Sequence, residues 1–347
     1  MNLSAAKGYK LKKIALLYEK LDHKSVRCSL CAHRCKIAQE QFGFCGVRQN
    51  LGGALFTYAY GEVIAAHVDP IEKKPLYQFF PGSQSYSIAT IGCNFRCGFC
   101  QNWQISQQSF RDHSGLRGET LSAQDVVDAA CKFKCKSIAY TYTEPTIFFE
   151  YALEIMRLAK TKGLYNIFVT NGYMTKECLE MAQPYLDAAN IDLKFFNDDS
   201  YKRVCAGGLQ PVLDTIELMY KYKIWIEITT LLIDGENDSN EELSGISRFI
   251  AGIDKNIPWH ISRFHPDYKF SEKRATLEAS IKKALDIARS SGLNYVYAGN
   301  VYNFGNDTYC PACKKAVIKR AGFDILEGNL KNNKCIYCNE AISGKFN

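Results

Sequence analysis

The chain lacks any run of eighteen apolar residues, so no membrane-spanning helix is expected. Its first stretch, Met1 to Leu21, lacks an uninterrupted apolar segment and a small-residue cleavage site, because Lys7, Lys10, Lys12, Lys13, Glu19 and Lys20 break up Ile14, Leu16 and Leu17. That pattern argues against a secretory leader and reads as a short amphipathic surface helix. Long repeats and low-complexity segments are also missing, which argues against solenoids and repetitive tracts. With no sign of secretion, the expected location is the cytoplasm, where thiols stay reduced and disulfides are rare.

What is present has ordinary globular proportions, 47% hydrophobic and 23% charged over 347 residues. That suffices for one large domain with small appendages, or for two domains. The net charge of +7 is uneven: residues 1–48 hold ten Lys/Arg against three Asp/Glu, residues 309–347 hold seven against three, and the middle is mildly acidic. Basic ends can touch nucleic acid or an acidic partner, although most such surfaces are only solvated.

Cysteine is abundant. Eleven of the fifteen fall into three tight clusters, and Cys131, Cys135, Cys178 and Cys205 lie apart and read as small buried apolar residues. In a reducing compartment clustered thiols point to metal ligation. Three regions follow: a cysteine-rich module at 1–84, a body at 85–305 and a cysteine-rich tail at 306–347. In the first, 54–60 and 62–68 alternate around Gly61 like a hairpin, and 69–82, with three prolines, reads as an irregular connection.

The body alternates β-rich runs (86–91, 137–143, 166–170, 188–193, 224–230, 259–264, 295–298) with helical patterns (123–134, 147–162, 176–183, 211–223, 241–253, 275–291). Repeated βα units predict an α/β fold with a parallel sheet, in a full or partial (β/α) barrel of about six units. In such barrels the chemistry sits at the C-terminal ends of the strands.

Directly after the first of these strands stands Gly92-Cys93-Asn94-Phe95-Arg96-Cys97-Gly98-Phe99-Cys100. Three thiolates can hold three irons of a cubane and leave the fourth open, which suits binding a substrate or cofactor. Three zinc ligands lacking a fourth are the alternative. Cys310-x2-Cys313 and Cys335-x2-Cys338, with 21 residues between, have the spacing of a zinc ribbon, whose four thiolates saturate the metal and serve the fold. Cys28-x2-Cys31-x3-Cys35-x9-Cys45 is also a four-ligand set, for zinc or a fully ligated auxiliary [4Fe–4S] cluster; spacing alone does not decide, with a slight preference for zinc.

The central motif, with an aromatic residue at Phe99, resembles the signature of the radical SAM superfamily. The resemblance extends to Thr143-Glu144-Pro145, where related enzymes carry Gly-Gly-Glu-Pro; here the glycines are replaced. Thr170-Asn171-Gly172, Ile191-Asp192-Leu193-Lys194 and Phe264-His265-Pro266 look like segments of pyruvate formate-lyase activating enzymes. Cys28-Ser29-Leu30-Cys31, Phe44-Cys45-Gly46-Val47-Arg48 and Asp69-Pro70-Ile71-Glu72-Lys73-Lys74-Pro75-Leu76-Tyr77 resemble the AmmeMemoRadiSam branch over nearly the whole chain. The resemblance implies a partial (β/α)6-type radical SAM barrel with a [4Fe–4S] cluster on Cys93, Cys97 and Cys100 and S-adenosylmethionine at its open iron. It implies a cofactor pocket involving Phe99, Glu144, Asn171, Asp192, Lys194 and His265, with Phe99 near the adenine. As partners it implies a flavodoxin or ferredoxin as one-electron donor, a protein, peptide or small-molecule substrate, and a Memo-like protein. Glycyl-radical activation is a second reading. Nucleic-acid binding is a third, drawn from the basic ends and from Tyr295, Tyr297 and Tyr302. Against these pocket roles, Glu144, Asp192 and Lys194 could be rim ion pairs, and His265 could simply end a strand.

Overall fold

The structure, a computed structural model, describes residues 12–112, 118–302 and 304–346. The helix expected at 1–21 lies partly outside the described residues, and the described part forms strands instead. Lys13–Ile14 pairs with Ala54–Thr57, and Tyr18–Lys20 pairs with Val26–Cys28. Edge pairing supplies these backbone groups with partners that a short isolated helix, marginal in water, would lack.

The body is one eight-stranded sheet. Strand β1 (Ala65–Pro70) lies antiparallel at the edge beside β2 (Gln84–Ala89). Then come, all parallel, β3 (Ser137–Tyr140), β4 (Tyr165–Thr170), β5 (Ala188–Asp192), β6 (Trp225–Leu232), β7 (Trp259–Arg263) and β8 (Val296–Gly299). Spatial order follows chain order, because each parallel pair is bridged by a crossover helix: α1 (Ala123–Lys132), α2 (Phe149–Thr161), α3 (Lys176–Ala182), α4 (Gln210–Lys221), α5 (Asn240–Ile253) and α6 (Glu278–Ser290). Six βα units and a closing strand make an open, partial barrel. Helix starts are encoded locally: Ser122 and Asp125 form a capping box on α1, Thr175 caps α3 and Ser239 caps α5.

The expected hairpin around Gly61 does not form. Gly52 and Gly53, both at positive φ, make the two-residue turn that folds Arg48–Leu51 onto Ala54–Thr57. Residues 65–70 pair instead with the edge of the main sheet.

Strand alternation gives the sheet two apolar faces. Ile138, Phe168 and Ala189 belong to the main helix-covered core, whereas the neighbouring Ala139, Ile167 and Ala188 pack on Ile71, Leu76, Phe79 and Phe80. The proline-rich connection is thus irregular, as expected, and it fills the barrel interior towards the N-terminal ends of the strands. Its backbone finds partners there: Tyr77 N and Gln78 N donate to the Glu227 carboxylate at 2.9 and 2.8 Å, and Asn190 Nδ2 donates to Pro75 O at 2.8 Å. Glu227 also accepts from Trp225 Nε1 at 3.0 Å and meets His260 Nε2 at 2.6 Å.

The tail forms a three-stranded antiparallel sheet (Thr308–Tyr309, Ala316–Ala321, Asp324–Gly328) and a short hairpin. It is tied to the filled end of the barrel, where Arg320 donates to Tyr77 O at 2.7 Å and Lys345 N to Gln78 O at 2.8 Å. Tyr295 and Tyr297 are buried there with Tyr77, Val317 and Ile342, so they are packing residues rather than a stacking platform; Tyr302 is exposed. No helix among the described residues is long and apolar enough to cross a membrane.

Candidate active site

The opposite end of the barrel is open. The C-terminal ends of the strands surround a cavity of about 500 Å³. Its wall includes Cys93, Cys97, Phe99 and Cys100 from the loop after β2, Thr141 to Glu144 after β3, and Thr170 and Asn171 at β4. Asp192 and Lys194 come from β5, and Thr229 and Leu231 from β6.

The cysteine loop is held from several sides. Gly92 starts it at φ +94°, and a Cβ there would stand 2.7 Å from Val47 Cγ1, so the position needs glycine. Arg96 N donates to Cys205 O at 2.8 Å and Gly98 N to Val204 O at 3.1 Å. Lys269 N donates to Gly98 O at 3.0 Å, and the Phe270 ring lies against Gly98. Cys93 Sγ accepts from Phe95 N at 3.3 Å, and Cys100 Sγ lies 3.1 Å from Ser106 Oγ. The Cys97 thiol is pushed up chiefly by a hydrogen bond with Cys205 and then by burial, while burial leads for Cys93 and Cys100. Cys205 therefore has a neighbour that its isolation in sequence concealed.

Glu144 is buried and heavily bonded. Its Oε1 accepts from Thr146 N (3.0 Å), Thr146 Oγ1 (2.6 Å) and Thr170 Oγ1 (2.8 Å), and its Oε2 accepts from Asn171 N at 2.8 Å. Burial raises its pKa above the usual carboxylate value in spite of these donors. Glu144 thus joins the end of β3 to the end of β4 while facing the cavity. Asn171 Nδ2 donates to Asn94 Oδ1 at 2.7 Å, which ties the end of β4 to the cysteine loop.

Asp192 and Lys194 do form an ion pair, at 2.7 Å, on the cavity wall. Burial opposes the charge of Lys194, but Asp192 and the sulfurs of Cys97 and Cys205 hold its pKa well above the ordinary lysine value. Its ammonium stands 5.8 Å from the Phe99 ring centre, and Phe99 packs among Phe195 and Phe270.

His265 is not brought into this group. Phe264 takes the buried side after β7, and His265 is exposed and outside the cavity lining. The next residues turn back over the cysteine loop instead: Trp103 stacks on Tyr268 and donates to Asp267 at 3.2 Å.

Asp69 and Lys74, within the 69–77 segment, carried no site expectation, and neither did Tyr142. Lys74 and Tyr142 line the cavity, and Lys74 Nζ meets Asp69 Oδ2 at 2.5 Å. Tyr142 OH donates to the same carboxylate. Burial pushes the Lys74 ammonium down to about 8 despite Asp69. For Asp69, burial works upward but is outweighed by hydrogen bonds from Lys73, Lys74 and Tyr142, which hold it well below the usual range. A charged run with a proline at each end was the only signal available, and only the fold buries its second lysine.

The donor set suits an iron–sulfur cubane carrying a polar cofactor. Three thiols share one wall, and the buried Thr229 Oγ1 on the cavity lining has no hydrogen-bond partner among the described residues. At the tail, Cys310, Cys313, Cys335 and Cys338 bring all four sulfurs within 4.8 Å of one another, with pairs at 3.5 and 3.7 Å.

Residues 87–244 match the family described as the Radical SAM superfamily. The chain is 42% identical over 332 residues to uncharacterized protein MJ0808 of Methanocaldococcus jannaschii, covering 94% of this chain and 98% of that one. It is 23% identical to the pyruvate formate-lyase-activating enzyme of Clostridium pasteurianum, over 56% of this chain and 89% of the other. Among solved structures, a radical SAM methyltransferase from Sphaerobacter thermophilus shares the fold at a TM-score of 0.50, with 18% identity, over 69% of this chain and 71% of that chain.

Proposed function

The chain belongs to the radical SAM superfamily, and from that premise we propose that it cleaves S-adenosylmethionine reductively in the open end of the barrel to act on a substrate by hydrogen abstraction. The observation that carries this reading is the convergence of Cys93, Cys97 and Cys100 on one wall of a cavity that also holds Glu144, Asn171, Asp192 and Lys194.

In this reading Cys93, Cys97 and Cys100 hold three irons of a [4Fe–4S] cluster. When bound, the cluster and S-adenosylmethionine supply one-electron cleavage of the sulfur–C5′ bond, giving methionine and a 5′-deoxyadenosyl radical. The protein positions the reactants and excludes water. Glu144 Oε2, with one donor of its own, accepts from the cofactor's amino group. Lys194 sets positive charge beside Cys97, where thiolate ligation concentrates negative charge. Asp192 keeps Lys194 in place and offers a second oxygen to polar groups of the cofactor. Phe99 gives a flat apolar surface for the adenine. Lys74, on the same wall and paired with Asp69, faces the substrate side and favours a substrate with a carbonyl or anionic group there.

The tail quartet is proposed to hold zinc in a closed, structural role, supported by sulfur separations that suit a single tetrahedral ion. A second functional reading is activation of a partner protein by abstraction from a glycine; the named activity of the Clostridium pasteurianum relative favours it. A co-purifying partner that gains a glycyl-radical signal would establish it.

The deciding experiment is anaerobic reconstitution with iron and sulfide, then dithionite and S-adenosylmethionine, with 5′-deoxyadenosine quantified. Nucleoside formation that Cys97→Ala eliminates is the expected result. A chain with a reducible cluster that yields no nucleoside, even with candidate substrates, would overturn the proposal.

A further inference from the structure

The three cysteine sets differ in a way that spacing along the chain could not reveal. A single zinc ion bound by four thiolates at about 2.3 Å holds their sulfurs about 3.8 Å apart. The tail quartet meets that condition. Among the described residues it is the one group of three or more His, Cys, Asp or Glu whose ligand atoms all lie within 4.8 Å. Cys28, Cys31, Cys35 and Cys45 therefore do not close to zinc distances, and neither do Cys93, Cys97 and Cys100. A cubane occupies the middle of its ligands and spreads their sulfurs to about 6 Å.

The N-terminal set is nevertheless one site. Cys28 ends a strand whose partner strand starts at Lys36, next to Cys35, and Cys28 N donates to Cys35 O at 2.9 Å. Arg34 N donates to Cys31 O at 3.0 Å, turning the chain between Cys31 and Cys35, and the hydrogen bond from Phe44 N to Cys35 Sγ brings the residue before Cys45 to the same place. Two sulfurs accept hydrogen bonds: the buried Arg48 guanidinium, which is also ion-paired with Glu150, donates to Cys28 Sγ at 3.3 Å, and Phe44 N donates to Cys35 Sγ at 3.5 Å. Hydrogen bonds to ligand sulfurs of this kind stabilise Fe–S clusters and tune their potential.

This set also touches the catalytic loop. His33, between Cys31 and Cys35, bonds Asn94 O through Nε2 at 2.6 Å. Arg96 donates to Phe44 O at 2.5 Å and lies 4.5 Å from the Phe44 ring centre.

We propose that Cys28, Cys31, Cys35 and Cys45 hold a second, fully thiolate-ligated [4Fe–4S] cluster that relays single electrons to the site at Cys93, Cys97 and Cys100. A low-potential flavodoxin- or ferredoxin-type protein reduces it by one electron, and it is reoxidised when that electron passes on. With four ligands it has no open iron and so binds no S-adenosylmethionine. The relay rests on the proposed cleavage reaction; the identity of the metal does not.

The test uses the full chain, reconstituted anaerobically. The triple variant Cys93→Ala/Cys97→Ala/Cys100→Ala should retain about four irons and four sulfides, a dithionite-induced electron paramagnetic resonance signal, and one zinc that reports an intact tail. Cys31→Ser/Cys35→Ser should fall from about eight irons to about four. A triple variant with no iron and two zinc ions would overturn the proposal, as would a wild-type chain with only four irons. In Cys31→Ser/Cys35→Ser, 5′-deoxyadenosine formation driven by reduced flavodoxin should drop at least about tenfold more than formation driven by dithionite. An equal effect with both reductants would overturn the relay alone. A wild-type chain with eight irons and no cleavage would overturn the proposed function and leave the second cluster standing.

Discussion

Glu227 and Thr229, two residues apart on β6, meet opposite surroundings at the two ends of the barrel. At the N-terminal end Glu227 has donors on both oxygens, Tyr77 N on one and Gln78 N and Trp225 Nε1 on the other, besides its contact with His260. At the C-terminal end Thr229, two residues further along β6, lines the cavity with its hydroxyl unpartnered. One strand thus serves both purposes. Glu227, against the filling segment, is satisfied by the protein's own donors, whereas the Thr229 hydroxyl at the open end faces the cavity without a partner among the described residues.

The strongest test of this contrast is a pair of substitutions. Cys97→Ala at the open end should reduce 5′-deoxyadenosine formation to background while leaving the urea midpoint nearly unchanged. Glu227→Ala at the filled end should do the reverse first. Stranding His260 and two backbone N–H groups should cost about 3–5 kcal/mol in denaturant unfolding. If Glu227→Ala unfolds at the wild-type midpoint, the filling is not what closes the barrel.

Glu144 lies between these extremes, since it bonds the protein and faces the cavity. Glu144→Gln should weaken S-adenosylmethionine binding, measured by equilibrium dialysis, by about 1–3 kcal/mol, because it removes the charge proposed to hold the cofactor's amino group. Unchanged binding would assign the residue wholly to joining β3 and β4.

Removing the zinc proposed for the tail should act more gently. A zinc chelator is expected to expose 306–346 to protease while cleavage of S-adenosylmethionine persists, since the quartet lies at the filled end. Parallel loss of both would show that the filled end controls the open one.

The smallest effect concerns Lys74. Its folded pKa of about 8 lies below the free value of 10.5, so the unfolded chain binds more protons between these limits. Stability should therefore rise with pH from about 8 towards 10.5, and Lys74→Met should flatten that rise in urea titrations across pH. A rise that persists in the variant would place the titration elsewhere.

The alternating β and α runs of the body were legible because parallel strands buried on both faces are short and apolar, and their helices carry local caps such as Ser122 with Asp125. The cysteine motif stands directly after a predicted strand, and the resemblance pointed to Glu144, Asn171, Asp192 and Lys194, which lie at or just past strand ends on the cavity wall. His265 met the same criterion and failed, since one step of alternation past β7 turned it to solvent. The hairpin at Gly61 failed because glycine marks a turn without naming the partners, and a long-range edge was the better one.

By itself, the sequence determined what depends on neighbours along the chain: strand and helix periods, helix caps, the close cysteine spacings and hence the number of ligands. Tertiary structure alone decided which barrel end the 71–80 segment fills and that Lys74 is buried. It also decided that Cys205 meets Cys97, and that one cysteine quartet closes to 4.8 Å while another does not. The reason is physical. Ligand number is a property of local covalent spacing, whereas burial and sulfur–sulfur distance depend on segments far apart in the chain that only packing brings together.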